Sequence, residues 1–221
     1  VPVPGTFGTP VGVALVGEHA GLHVTLDGDA PDPALVAAVR EALGEGGLAK
    51  AVHDLKRTLK ALTAPTEGDG LGPDAALDGV VDDVLLSAYL IQPDRRDTSL
   101  EALAEAHLHT PLTAPREPAQ QRAQGTFDLD GGQAAAERAD RAADAVRAAW
   151  VVRRLSTQFT PQVLDRGAQR LLQELEIPLS RLLARMELTG IAVDVDALTG
   201  LREDFTLSLI HISEPTRRTP I

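Results

Sequence analysis

Apolar positions along this chain change period several times, and each change marks an element. Val11 to Val16 and Leu22 to Leu26 are short apolar runs separated by residues 17–21, the pattern of a β-hairpin with a longer loop. From Pro33 the period becomes helical, with Leu35, Val36, Val39 and Leu43 on one face and Gly44 at the end. Ala49 to His53 reads as a short buried strand and Leu55 to Leu62 as a helix. Val80 and Val81 form a brief strand, after which Asp82 or Asp83 caps a helix through Leu90. Ser99 caps a further helix over 100–108. Residues 63–78 predict a loop, and residues 109–132, rich in Pro, Gln and Gly without periodicity, predict a mobile segment. An Ala-rich helix is expected over 133–155 and another over 160–175. A third, opened by Pro178, puts Leu179, Leu182, Leu183 and Met186 on one face and Ser180, Arg181, Arg185 and Glu187 on the other. Gly190 stops it, Ile191 to Val193 predict a short strand, and Asp194 leads into a last helix from about Val195 to Phe205.

Composition narrows this picture. With 43% hydrophobic but only 3% aromatic residues, the core must be built mainly from Ala, Val and Leu. A net charge of -11 argues against a self-sufficient nucleic-acid binder, because phosphate affinity comes from clustered Lys and Arg. Cysteine is absent, which removes disulfides and thiolate metal sites and fits a cytoplasmic protein. No apolar run reaches the length of a membrane span, and the first residues lack the basic and apolar regions of a signal peptide, so no membrane partner is expected. The chain begins at Val1 and its sole methionine is Met186, the pattern expected of a fragment. Three of its six isoleucines fall in the last twelve residues. Residues 207–221 look like the in-frame translation of a sequencing-library transposase adapter and are set aside as a tail.

Two stretches carry a resemblance. E-x-P-L from Glu176 to Leu179, then L-x-R-M-E-x-x-G-I-x-V-D from Leu183 to Asp194, resembles the opening of the polymerase domain in the bacterial DNA polymerase I family, family A. His53-Asp54-Leu55-Lys56, the D-x-L-L-x-A-Y-L-x-x-P run from Asp83 to Pro93, and Ser99 to Ala104 resemble the 3′–5′ exonuclease domain that precedes it. The fold class implied is α/β: an RNase H-like exonuclease-type domain over 1–160, truncated at its N-terminus, then the first helices of the polymerase domain over 161–206. For the whole protein the resemblance implies template-directed addition of deoxynucleotides to a primer, DNA primer-template and deoxynucleotides as partners, a monomer, and Mg²⁺ held by carboxylates outside this chain.

The exonuclease chemistry is a separate question. Active members hold two divalent ions with a D-x-E pair on the first strand, an Asp after H/N-x-L-K, and a helix bearing Y-x-x-x-D. Here no D-x-E precedes the first strand, and Thr58 occupies the second Asp position in H-D-L-K-R-T. The third motif would fall in residues 136–146, where Asp140 and Asp144 share a helix face, the Tyr is missing, and Arg138 and Arg141 crowd the site. Asp54 and Asp144 are therefore the weak metal candidates; the competing role of Asp54 is a helix cap, and that of Asp144 a solvated helix charge. His53 reads as a strand-end packing residue, and His107 and His109 lack metal spacing. No catalytic residue is expected in this chain, no bound cofactor is expected in it, and its DNA-binding residues are unassigned. The rival readings are a stand-alone 3′–5′ exonuclease, against which Thr58 speaks, and an acidic non-catalytic scaffold. Loss of the first strand would leave a sheet edge unpaired and stability marginal.

Overall fold

The computed structural model describes residues 12–26, 32–63, 71, 76–112 and 132–213; for 132–135 and 207–213 it describes the backbone alone. The expected mobile segment and loop lie largely outside these residues, as do the first ten positions. Two compact units are present, Val1–Leu188 and Thr189–Ile221.

From the first strand to residue 108 the element order of the first unit is the expected one. Strands β1 (Gly12–Val16) and β2 (Gly21–Thr25) form an antiparallel hairpin with Gly12 opposite Thr25 and Val16 opposite Gly21. Its loop is closed by Gly17 N–H donating to the Ala20 carbonyl at 2.8 Å. Helix α1 (Pro33–Gly44) is capped by the Asp32 carboxylate and buries Val36, Val39 and Leu43, whereas Leu35 stays exposed. Strand β3 (Lys50–Val52), helix α2 (Leu55–Thr63), strand β4 (Val80–Asp83) and helix α3 (Val84–Ile91) follow. β3 and β4 run parallel, with a register shift between Lys50 and Ala51, and α2 lies in the connection between them. Among the described residues the strands thus form two separate two-stranded sheets.

The loop leading to β4 is fixed by one lysine and one glycine. The Lys50 ammonium donates to the carbonyls of Glu45 (2.6 Å), Leu48 (3.0 Å) and Asp78 (2.8 Å), satisfying three backbone acceptors of the turn. Gly79 has φ +68, and a Cβ there would run into the Leu48 carbonyl, so both conformation and space demand glycine.

Helix α4 (Leu100–Leu108) opens with Ser99 Oγ accepting from Ala102 N–H and ends at left-handed His109. The expected pair of helices over 133–155 and 160–175 is replaced by one helix, α5 (Gly132–Asp165), which runs straight through Pro161. An interior proline costs about 3 kcal/mol, but Val151, Leu155, Phe159 and Val163 recur every four residues on one face and all are buried. Burial of those four side chains, about 1.5–3 kcal/mol each, outweighs the proline and carries the helix past it. α5 packs on both sheets and on α3 and α4. Its end is a Schellman motif: Gly167 at φ +67, with Gly167 N–H to the Leu164 carbonyl and Ala168 N–H to the Val163 carbonyl.

A π-helical segment, Leu171–Glu176, then runs without interruption into α6 (Ile177–Thr189). The wider π turn brings residues five apart onto one face. That spacing lets Leu172 and Ile177 both be buried. On α6 the expected apolar face is open: Leu179, Leu182, Leu183 and Met186 are all exposed, and Ala184 is buried. The period that predicts the helix says nothing of which neighbours are present to cover it.

The second unit holds α7 (Val195–Ser213), capped by Asp194 Oδ1 accepting from Ala197 N–H at 2.9 Å. Gly190, at φ +68, ends α6 as expected. The strand expected at Ile191 to Val193 does not form. A strand needs a neighbour to bond to, none pairs with it among the described residues, and Ile191 is 90% exposed. α7 continues beyond Phe205, its backbone helical to Ser213.

We expect Phe159→Ala to cost about 3–5 kcal/mol in urea denaturation, the range for emptying a fully buried aromatic site, and Gly167→Ala about 1 kcal/mol through its left-handed backbone. A Phe159→Ala loss under 1 kcal/mol would mean that α5 is not the core helix.

Candidate functional site

Four of the residues singled out by sequence, His53, Asp54, Asp82 and Asp83, lie at the C-terminal end of β3 and β4, and Asp144 is not among them. Asp83, last in β4, is buried among the first turns of two helices. One of its oxygens accepts from Leu85 N–H (3.1 Å) at the start of α3 and from Asp54 N–H (3.0 Å); the other accepts from Leu55 N–H (2.8 Å) at the start of α2. A single carboxylate therefore satisfies the orphan donors of two helix N-termini, where the helix dipoles also favour negative charge. Burial pushes the Asp83 carboxyl up from its ordinary range, and the three N–H donors pull it part of the way back.

Asp54 takes a left-handed conformation, φ +59. Its N–H is held by Asp83, its side chain accepts from Arg57 N–H at 3.0 Å, and its carbonyl accepts both Thr58 N–H and Thr58 Oγ. Asp54 thus makes a cap bond at the start of α2, and the Thr58 hydroxyl is turned onto the helix backbone. His53 places Nε2 2.9 Å from the Thr98 carbonyl, so that nitrogen carries the proton.

Asp82, adjacent and also buried, takes a hydrogen bond from Ser87 Oγ on one carboxylate oxygen, while the other meets no hydrogen-bonding geometry. Burial raises its pKa, opposed by the hydroxyls of Ser156 and Ser87. Asp144 lies half-buried on α5. Among the described residues no three His, Asp or Glu side chains gather as a metal cage. Asp83 and Asp54 spend carboxylate oxygens on backbone N–H groups, so this donor set does not fit a two-metal centre.

One contact escapes sequence reading. Glu187 of α6 pairs with Lys56 Nζ at 2.8 Å and with Lys60 Nζ, both on α2. The two ammonium groups, Lys56 foremost, hold the Glu187 carboxyl below its usual range. Lys56 belongs to H-D-L-K and Glu187 to R-M-E-x-x-G, so the two stretches that carry the resemblance touch directly. Both residues stand in the motifs, but their partnership depends on a packing that spacing does not encode.

These motifs, on this fold, are those of a segment of a DNA polymerase. No protein-family model matches the chain. It is 31% identical over 169 residues to DNA polymerase I of Mycobacterium tuberculosis, a match covering 76% of this chain and 17% of that protein. It is 28% identical over 199 residues to DNA polymerase I of Geobacillus stearothermophilus, covering 90% of this chain and 20% of the relative. A solved structure described as the POL domain of Pol1 from M. smegmatis, in complex with DNA primer-template and dNTP, superposes with a TM-score of 0.62 at 26% identity, over 84% of this chain and 26% of that one. The chain belongs to the bacterial DNA polymerase I family and spans about a fifth of the length of the curated relatives it matches.

We expect Asp83→Ala to destabilise the first unit by about 2–4 kcal/mol, since it removes caps on two helices and leaves buried N–H groups unpaired. Asp82→Asn keeps the volume and the acceptor for Ser87, and should be neutral or stabilising at pH 7. The sign follows from the raised pKa. A buried carboxyl that binds its proton more tightly when folded adds stability below its unfolded value, and that gain is lost as pH rises through the folded value. The advantage of Asp82→Asn should therefore shrink as pH falls toward about 4, read from urea midpoints across that range.

Proposed function

We propose that this chain is the part of a bacterial DNA polymerase that contains a 3′–5′ exonuclease-like, RNase H-like domain and the opening of the polymerase domain, with the nuclease chemistry lost. The longer protein extends a primer 3′ end with deoxynucleotides on a DNA template, uses Mg²⁺ at carboxylates of its polymerase domain, and works in the cytoplasm in replication and repair. No helix among the described residues is long and apolar enough to cross a membrane. The observation that carries the reading is the match to DNA polymerase I over most of the chain, and the order of elements β1-β2-α1-β3-α2-β4-α3 agrees with it.

Loss of the nuclease is supported by the commitments of the carboxylates. Thr58 bonds to its own helix backbone where the family places an Asp, and Asp54 makes a cap bond. The domain then serves as a structural support, joined to the polymerase opening through Glu187 and the two lysines of α2.

The test is nuclease and polymerase assay of the purified 221-residue chain with Mg²⁺. Neither labelled single-stranded DNA nor a primed template should change in length. Digestion that stops on Asp144→Ala would overturn the loss of nuclease chemistry and make Asp144 a metal ligand.

A further inference from the structure

In a chain of net charge -11, residues 145–164 contain no Asp or Glu and carry Arg147, Arg153 and Arg154. They fall within α5, whose buried face is set by Val151, Leu155, Phe159 and Val163. At 100° per residue the opposite face presents Trp150, Arg153, Arg154 and Thr157, all exposed. Trp150 is the only tryptophan in the protein, and it is 41% exposed. The Arg154 guanidinium lies over its ring, 5.6 Å from the centroid. Among the described residues the fully buried side chains of this helix, Val151, Leu155 and Phe159, lie on its other side.

We propose that this face of α5 binds an unpaired nucleic-acid strand, with Trp150 stacking on a base and Arg153 and Arg154 meeting the flanking phosphates. An exposed aromatic ring beside guanidinium groups is the combination that single strands need: every base has a face to stack, and the backbone supplies one negative charge per nucleotide. Arg154 holds the indole in place on one face, so little order is lost when a base arrives on the surface that remains accessible. Gln158, exposed at the flank of this face, adds an uncharged donor one turn on from Arg154, whereas the Thr157 hydroxyl donates to the Arg153 carbonyl at 2.9 Å. A duplex fits poorly, because its bases are already stacked and turned inward. The repulsive net charge of the chain confines binding to this acid-free segment and keeps it weak. The patch is a property of this surface, whether or not the longer protein polymerises.

Because Trp150 is the sole tryptophan, its own fluorescence reports on the site. The experiment titrates the full chain with oligothymidylate of about 12 nucleotides, within the length range single-strand sites cover, at salt between about 50 and 200 mM. Quenching that saturates and weakens with salt is expected, with duplex of the same length binding at least about tenfold less tightly. Arg153→Gln/Arg154→Gln keeps the fluorophore and should flatten the slope of log affinity against log salt by about 1.4, the share of two phosphate contacts on a single strand. Trp150→Ala, followed through labelled oligonucleotide anisotropy with helix content checked by circular dichroism, should lose about tenfold in affinity. Absence of salt-dependent quenching, equal binding of duplex, or an unchanged slope in the double Arg variant would each overturn the proposal.

Discussion

The first unit depends on one apolar stripe, Val151, Leu155, Phe159 and Val163, buried along α5. A two-stranded sheet is not stable alone in water, and the described residues form two of them, neither bonded to the other. α5 solves that by lying against β1, β2, β3 and β4 and against α3 and α4. Gly21 records how close the approach is: a Cβ there would meet the Val146 side chain at 2.8 Å. With so few aromatic residues in the chain, Phe159 is the largest fully buried side chain, and its ring meets His107 of α4 edge-on at 4.8 Å. Burial and the neighbouring Arg95 charge hold that histidine below its ordinary pKa, so it behaves as an aromatic packing partner.

Against that apolar scaffold the buried carboxylates have structural roles. Asp83 joins the end of β4 to the starts of α2 and α3, and the left-handed Asp54 is affordable only because its N–H is held there. A constellation of three aspartates near a strand end has the look of a metal site in one dimension. In three dimensions two of them point oxygens at helix N-termini, which is where unpaired N–H groups make a carboxylate most useful without any ion.

How much of this was legible in the sequence follows from which interactions are local. The hairpin, α1, α3, α4, the Ser99 and Asp83 caps and the Gly190 stop all follow from periodicity and cap chemistry within a few residues. The second cap made by Asp83, on α2, was hidden because its partners are 28 and 29 residues away. The continuity of α5 from the expected helix over 133–155 through Pro161 to Asp165 rests on the burial of Phe159 and Val163, which local pattern does not give. The strand expected at Ile191 failed because an apolar pattern states what a segment needs, and the neighbour must be present to supply it; Leu182 and Met186 are exposed for the same reason.

The Glu187 pairs show what an exposed ion pair can and cannot do. Glu187 is solvent-accessible, and such pairs add little net stability; they cannot be what keeps α6 folded. Lys60 differs from Lys56 in being almost wholly buried along its length. A buried lysine stem leaves its ammonium only a narrow set of positions, and Glu187 sits at one of them. The pair therefore acts on direction more than on energy. It sets which way α6 leaves the sheet unit, and so where its open apolar face, with Leu182 and Met186, is presented. The helix that begins the polymerase resemblance is aimed by Lys60 of α2, a reason for the first unit to extend through Leu188.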